Sequence, residues 1–169
     1  MTGDWTPNLD WITPELAVGG SFPEGAAEHL ARVLGVGAVI DLRAERCDDE
    51  RALSGVGLKF LHLPTLDHHA VAPRMLQDGV AFAAAQAAAE RKLLIHCEHG
   101  IGRSALLALC VLVDRGLEPI DALELAKSQR VCVSPSPAQY EAWRVWLEAR
   151  SLAAPDFEVF AEIAYRHLR

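Results

Sequence analysis

Hydrophobic positions fall into two kinds of segment that alternate along the chain. Short apolar runs between turn residues are typical of buried strands, and longer segments that begin at proline or serine and end near glycine are typical of helices. The predicted strands are Asp10–Ile12, Leu16–Val18, Ala38–Leu42, Lys59–Leu63 and Lys92–His96. The predicted helices are Pro23–Leu34, Asp48–Leu53, Pro73–Glu90, Ser104–Asp114, Pro119–Gln129, Pro137–Arg150 and Asp156–Leu168.

This alternation predicts the fold class. Strands that alternate with helices favour an α/β domain with a mainly parallel central sheet and helices on both faces. A chain of 169 residues without a linker or a repeat fits a single domain, residues 1–169. Because only a weak break at residues 153–155 precedes the last helix, residues 151–169 are expected to form a C-terminal helix packed on that domain.

The charge balance restricts the partners. With 16 Lys and Arg against 23 Asp and Glu, the formal net charge is -7. The field of an acidic chain repels nucleic acid and anionic membranes, so no nucleic acid partner is predicted, and a phosphate group must be captured by a local site. No apolar run reaches the roughly 20 residues of a membrane span, and no secretory signal is apparent, so a cytoplasmic location is expected.

Four cysteines, at positions 47, 97, 110 and 132, form no closely spaced pair. A domain of this size has an ample core and does not need disulfides, so reduced thiols are expected. Cys110 lies in an apolar helix and is predicted to be a buried core residue. The same interpretation is favoured for Cys47 and Cys132.

The segment from His96 to Ser104 carries the most specific chemistry. It joins a predicted buried strand to an apolar helix, which is where α/β sheets bind their ligands. Gly100 and Gly102 allow the backbone to curl so that successive N–H groups point inward, and the helix N-terminus adds positive partial charge. The predicted phosphate ligands are the backbone amides of Glu98, His99, Gly100, Ile101, Gly102 and Arg103.

Four side chains of this segment have predicted roles. Cys97 is the candidate nucleophile, because inward N–H groups and a helix N-terminus stabilise its thiolate. Arg103, six residues later, can fold its guanidinium over the site and bind two phosphate oxygens. Ser104 can donate a hydrogen bond to the sulfur when it leaves phosphorus, and His96 is expected to order the loop from beneath.

Asp67 is the candidate general acid and base. It follows the strand Lys59–Leu63, and it precedes Cys97 by 97 − 67 = 30 residues with one helix in between. Adjacent parallel strands end at the same edge of a sheet, so Asp67 can reach the site from the neighbouring loop. A turn or helix-capping role for this aspartate remains the alternative.

The pattern HCxxGxGRS resembles the Cys-x5-Arg signature of protein tyrosine phosphatases and their dual-specificity relatives. Residues 11–20, 38–42, 64–68 and 129–139 resemble other segments of small dual-specificity phosphatases, so the resemblance covers about residues 8–150. It implies phosphomonoester hydrolysis through a phosphocysteine intermediate, without metal or cofactor, on a phosphorylated protein or a small phosphomonoester. It also implies that Gln139 lies near the site.

Several alternatives stay open. Glu98 and His99 replace the small or neutral pair of many relatives, and His99 is shared with RNA 5′-triphosphatases of this superfamily. An RNA 5′-phosphate is therefore an alternative substrate. An inositol or lipid phosphate also remains open, and a weakly catalytic phosphate-binding module is an alternative function. Residues 67–69 together with Cys97 and His99 supply ligand types for a metal, which gives a metal hydrolase as a further alternative.

Overall fold

The computed structural model describes residues 5–169, so residues 1–4 of the predicted domain lie outside the described residues. Its centre is a five-stranded sheet with the order β1-β2-β5-β3-β4. The strands are β1 (Leu9–Thr13), β2 (Leu16–Gly19), β3 (Val36–Arg43), β4 (Lys59–Thr65) and β5 (Lys92–His96). β1 pairs antiparallel with β2, and all other pairings are parallel.

Helices cover both faces of the sheet, which confirms the predicted α/β class. They are α1 (Ala27–Arg32), α2 (Glu50–Gly55), α3 (Pro73–Ala88), α4 (Arg103–Asp114), α5 (Pro119–Gln129), α6 (Pro137–Ala149) and α7 (Phe157–Ala164). The larger core lies between the sheet and α3 to α7, and a smaller core lies under α1 and α2. Within residues 5–169, no helix combines the length and the apolar character needed to span a membrane.

The parallel strands β5, β3 and β4 bring three loops to one edge of the sheet. Asp41 of β3 lies beside His96 at the end of β5, and Arg43 lies beside Thr65 at the end of β4. The segments that follow these strands therefore emerge together at the carboxyl edge. This edge carries the residues that the sequence singled out.

Helix α4 supports this edge from inside the core. Every residue from Arg103 to Val113 is buried, including Leu106, Leu107 and Leu109 at 0% exposure. Burial of one such leucine side chain contributes about 1.5–3 kcal/mol. The loop that precedes α4 therefore rests on a rigid, well-packed support.

Two helices are shorter than predicted by more than two residues. The first begins at Ala27 rather than Pro23, because Gly25 adopts a φ of 88° that no α-helix accommodates. The last predicted helix, residues 156–168, is divided: α7 ends at Ala164, and residues 166–168 form a 3₁₀ turn. The division follows from Lys127, whose Nζ donates to the Ala164 carbonyl at 2.8 Å, so this oxygen is engaged by a side chain from α5.

Candidate active site

The loop of residues 97–102, called the Cys97 loop below, joins β5 to α4. Each of its first five carbonyl groups contacts a nitrogen atom on the outer side of the loop. The contacts are Cys97 O with His96 Nδ1 at 3.2 Å, Glu98 O with Ser21 N at 2.9 Å, His99 O with Arg130 Nη2 at 2.9 Å, Gly100 O with Arg130 Nε at 2.8 Å, and Ile101 O with Ser134 N at 2.9 Å.

These carbonyl contacts fix the direction of the amides. In a planar trans peptide, the carbonyl of one residue and the N–H of the next point in opposite directions. Five carbonyls directed outward therefore turn the N–H groups of residues 98–102 toward the inner side of the loop. Gly100 needs its φ of 70° for this path, and a Cβ there would lie 2.4 Å from the Gly19 carbonyl carbon.

Cys97 lies on this inner side. Its Sγ accepts a hydrogen bond from the Gly100 N–H at 3.3 Å, and it lies 3.3 Å from Ser104 Oγ. The residue is 3% exposed, at the bottom of the cleft. The sulfur thus lies within hydrogen-bonding distance of one loop amide and one hydroxyl group.

Arg103, the first residue of α4, is fully buried and has one edge of its guanidinium occupied. Nη1 and Nη2 donate to the Glu45 carboxylate at 2.7 and 2.9 Å, and Nη1 also donates to Thr65 O at 2.7 Å. Nε is buried, and no partner for it is found among residues 5–169. A buried N–H without a partner is costly, so Nε identifies an acceptor position that a ligand would fill.

Glu45 holds Arg103 in this orientation. It lies in the loop after β3, and its hydrogen bonds with Arg103 lower the pKa of its carboxyl group to about 2, against the opposing effect of partial burial. Glu45 therefore remains ionised at neutral and mildly acidic pH. The same pairing raises the pKa of Arg103 despite desolvation.

Asp67 lies in the loop of residues 66–72 after β4, called the Asp67 loop below. Its Oδ1 is 3.5 Å from Arg103 Nη2, and the side chain lines the same cleft as Cys97. The loop is held by the start of α6: Ser136 Oγ donates to His68 O at 2.8 Å, and Gln139 Nε2 donates to His69 O at 3.2 Å.

Gln139 thus connects two loops. Its Oε1 accepts from the Ser136 N–H at 2.8 Å, which completes a capping box with Ser136. The same amide lies against Gly102, where a Cβ would approach Oε1 to 2.5 Å. Gln139 lines the cleft, with its polar atoms engaged by the cap and by the Asp67 loop.

His96 lies directly beneath the Cys97 loop with no exposed surface. Nε2 is 2.6 Å from Asp48 Oδ2 and Nδ1 is 3.2 Å from Cys97 O, so both ring nitrogens face oxygen atoms. Asp48 is in turn bound by Arg43, which also pairs with Asp41 at 3.0 Å. The contacts among His96, Asp48 and Arg43 therefore fix the position of His96 at the end of β5.

The Glu98 side chain points away from the cleft. Its carboxylate accepts from Arg43 Nη1 at 3.2 Å and from Ser21 Oγ at 3.3 Å, behind the Cys97 loop. Only the backbone of Glu98 is directed at the site. The carboxylate therefore does not repel an anion in the cleft at close range.

The cleft has a volume of about 410 Å³. Its floor includes Cys97 and Gly102, and its walls come from the Asp67 loop, the start of α6 and the C-terminal segment. The wall residues are Asp67, His68, His99, Ile101, Ser134, Ser136, Pro137, Gln139, Tyr165 and Leu168. The wall contains no lysine or arginine among the described residues.

The ligand types noted for a metal alternative do not converge. In the described part of the chain, the group that brings three potential ligand atoms within 4.8 Å of one another is Asp41, Asp48 and His96. The Arg43 guanidinium lies between these two carboxylates and supplies the positive charge there.

All four cysteines are free. Cys110 is fully buried as predicted, and burial raises the pKa of its thiol well above its ordinary value. The prediction that Cys47 is buried is wrong, because it lies exposed in the loop after β3. Partial desolvation of its thiol by neighbouring atoms, followed by the nearby carboxylates of Asp41 and Asp48, raises the pKa of Cys47. Cys132 is partly buried.

Two important residues were not predicted from the sequence. Glu45 follows β3 at the same sheet edge as Asp67, so the edge rule brings it to the region of the site but does not distinguish it from the other acidic residues that follow β3. Arg130 lies in a segment noted only for Gln139, and no local pattern distinguishes it. It is 4% exposed, and besides the Cys97 loop it binds Asp10 Oδ2 and Asn8 Oδ1, both at 2.9 Å.

A mainly parallel sheet whose central strand leads through an anion-binding cysteine loop into a buried helix is the arrangement of cysteine-dependent phosphatases. Residues 20–147 match the family described as "Dual specificity phosphatase, catalytic domain". The chain belongs to this family and is a cysteine-dependent phosphatase, as the signature predicted.

Solved structures share the fold. Human DUSP28 is 26% identical with a TM-score of 0.75, and the match covers 87% of this chain and 97% of that one. Tk-PTP in its active form is 24% identical with a TM-score of 0.77, covering 85% and 99%. PTPMT1 in complex with PI(5)P is 23% identical with a TM-score of 0.75, covering 83% and 96%. Comparison with curated proteins finds no match.

Proposed function

We propose that the cleft hydrolyses phosphomonoesters with Cys97 as the nucleophile and Arg103 as the phosphate clamp. The observation that carries this proposal is the buried, unpartnered Arg103 Nε beside a loop whose amides face the Cys97 sulfur. Amides of residues 98–103 and the free edge of the guanidinium match the oxygens of one phosphate group. These donors stabilise the charge on the phosphoryl oxygens in the transition state.

In the first step, the Cys97 thiolate attacks phosphorus as the bond from phosphorus to the ester oxygen breaks. Asp67, as a carboxylic acid, donates its proton to that oxygen, which leaves as an alcohol. The products of the step are a phosphocysteine and the Asp67 carboxylate. The 3.5 Å distance between Asp67 Oδ1 and Arg103 Nη2 supports this role, because it brings the carboxyl group next to the phosphate clamp.

In the second step, Asp67 removes a proton from water, and the oxygen of that water attacks phosphorus. The bond between phosphorus and sulfur breaks, and the sulfur leaves as a thiolate. Ser104 Oγ, 3.3 Å away, donates a hydrogen bond to this thiolate. Inorganic phosphate leaves and the first state of the enzyme is restored. His96 supports the loop, and Gln139 supports the position of Asp67.

The favoured substrate is a protein phosphorylated on tyrosine or, with dual specificity, on serine and threonine. A cleft wall without lysine or arginine favours a single phosphate group over a polyphosphate. Inositol or lipid phosphates and RNA 5′-phosphates remain the alternative, and the described cleft wall contributes the imidazole groups of His68 and His99. The net charge of -7 opposes a polyanionic partner such as RNA.

A reducing compartment suits this chemistry, since a free thiolate is required, and we propose a cytoplasmic location on that basis. We also propose that residues 1–169 form one catalytic domain. The C-terminal residues are included because Tyr165 and Leu168 line the cleft.

Trapping of the intermediate tests the proposed function. Mixing the enzyme with a ³²P-labelled aryl phosphate in excess EDTA, followed by an alkaline detergent quench, should give up to one label per chain on the peptide that contains Cys97. Ser104→Ala should accumulate more label, because departure of the sulfur is slowed. Loss of turnover on chelation, or label on another residue, would contradict the proposal.

Arg130 gives a further prediction. Arg130→Met removes the donors that orient the His99 and Gly100 carbonyls, so the loop amides lose their direction. We expect kcat/KM for an aryl phosphate to fall about 10- to 100-fold. Arg74→Met, which changes an exposed arginine on α3, is the matched control and should retain full activity. Equal activity of the two variants, both folded by circular dichroism, would exclude a positioning role for Arg130.

A further inference from the structure

The C-terminal segment of residues 165–168 borders the catalytic cleft. Tyr165 and Leu168 line the same cleft as Cys97 and Asp67. This segment lies beyond residues 20–147, which match the catalytic-domain family. Its position at the site is therefore a feature of this chain rather than of the matched region.

A buried lysine fastens the segment to the body of the domain. Lys127 of α5 is 4% exposed, and its Nζ donates to the carbonyls of Ala164 and Val133, both at 2.8 Å, and lies 2.9 Å from His167 Nδ1. Nζ also donates to the Val131 carbonyl at 2.5 Å. Lys127 thereby joins the C-terminal segment to residues 131–133, which lead directly into the cleft wall at Ser134.

Tyr165 is held at both ends. Its hydroxyl donates to the Pro135 carbonyl at 2.6 Å, and its ring meets the Phe160 ring edge-on, with centroids 6.0 Å apart and an interplanar angle of 87°. The ring therefore has one defined orientation at the cleft. A fixed aromatic wall costs little conformational entropy when a substrate packs against it.

The cleft entrance is apolar on two sides. Leu168 is 72% exposed, and Ile101 on the Cys97 loop is 38% exposed. Both line the cleft, and large apolar side chains with this exposure gain free energy when a ligand covers them. With no lysine or arginine in the described wall, the complementary substrate carries its phosphate on an apolar, flat group.

We infer that Tyr165 and Leu168 form a specificity wall that makes the enzyme prefer phosphate esters of aromatic alcohols, such as phosphotyrosine, over those of alkyl alcohols. This inference rests on the proposed function. The aromatic ring of the substrate packs between Ile101 and the C-terminal segment while its phosphate occupies the Cys97 loop. The shorter side chain of phosphothreonine cannot reach this wall with its phosphate in place, and Lys127 acts as a positioning residue.

Two peptides of one sequence, one with phosphotyrosine and one with phosphothreonine, provide the test. Leu168→Ala should raise KM for the phosphotyrosine peptide about fivefold, and Tyr165→Ala about tenfold, with little change in kcat. The phosphothreonine peptide should be hydrolysed by these variants as by the parent. Lys127→Met should reproduce the KM effect because it releases the segment.

Val159→Ala is the matched control, because Val159 is a 44% exposed apolar residue of α7 that does not line the cleft. It should leave KM and kcat unchanged for both peptides. The inference is wrong if the parent forms the phosphocysteine but Leu168→Ala and Tyr165→Ala change KM equally for both peptides. It is also wrong if they change KM for neither peptide. If the parent forms no phosphoenzyme with any phosphomonoester, the proposed function itself fails.

Discussion

Replacement of Cys97 by serine should reduce hydrolysis of an aryl phosphate to background, a fall in kcat of about 10⁴-fold or more. A serine hydroxyl keeps its proton at neutral pH, and among residues 5–169 the contacts of the sulfur are the Gly100 N–H and Ser104 Oγ. Neither of these removes a proton. The donors that stabilise a thiolate therefore cannot generate an alkoxide.

The same variant should still bind an oxyanion. Its loop amides and Arg103 are unchanged, so tungstate measured by calorimetry should bind with an affinity within about tenfold of the parent. Cys47→Ser makes the identical chemical change at an exposed position and is the matched control, with full activity expected. If Cys97→Ser still turns over the substrate, or if Cys47→Ser loses as much activity, Cys97 is not the nucleophile.

Arg103→Lys should lower kcat/KM about 10³-fold. The guanidinium uses its Nη1 and Nη2 edge for Glu45, and Nη1 also binds the Thr65 carbonyl, while Nε remains for the ligand. One ammonium group cannot serve both edges. A lysine that keeps its pair with Glu45 leaves the phosphate without its clamp, and binding of tungstate should weaken together with turnover.

Arg43→Lys is the control for this change. Arg43 is also buried and bound to carboxylates, yet it lies behind the Cys97 loop and contacts Asp41, Asp48 and Glu98. Its replacement tests the cost of losing a buried guanidinium without loss of a phosphate contact. We expect kcat/KM to decrease by no more than about tenfold in Arg43→Lys. If kcat/KM of Arg103→Lys falls no further than that of this control, Arg103 acts only by stabilising the structure.

The parts of the site that follow from local sequence were predictable. Gly100 and Gly102, the start of α4 and the position of Cys97 after a buried strand define the loop without knowledge of distant contacts. The sheet-edge rule also predicted that Asp67 lies near Cys97, and the structure places both in one cleft although β3 separates β4 from β5. Parallel pairing alone fixes which loops share an edge.

The choice among several carboxylates was not predictable. Four acidic residues follow β3, and packing assigns them different partners: Glu45 binds Arg103, Asp48 binds His96, and Asp49 caps α2 through the Ala52 N–H. Glu50 lies within α2. Nothing in their spacing distinguishes these roles, because each depends on the direction of a side chain in the folded protein.

Contacts distant in sequence account for the other differences. The Glu98 carboxylate points away from the cleft because Arg43, 55 residues earlier, attracts it. The last helix is divided at Ala164 because Lys127 engages its carbonyl from α5. Helical pattern alone predicts continuation in such a segment, and only the tertiary contact ends the helix where it does.

The attachment of Arg130 to β1 couples the active site to local unfolding. β1 is one of the two edge strands and pairs only with β2, and such weakly held segments open at a lower free energy than the global transition. Each opening takes Asn8 and Asp10 away from Arg130, which then holds the Cys97 loop without its outer anchors. Hydrogen-exchange protection of β1, a strand that does not line the cleft, therefore reports the fraction of molecules in which Arg130 holds the Cys97 loop with both outer anchors in place.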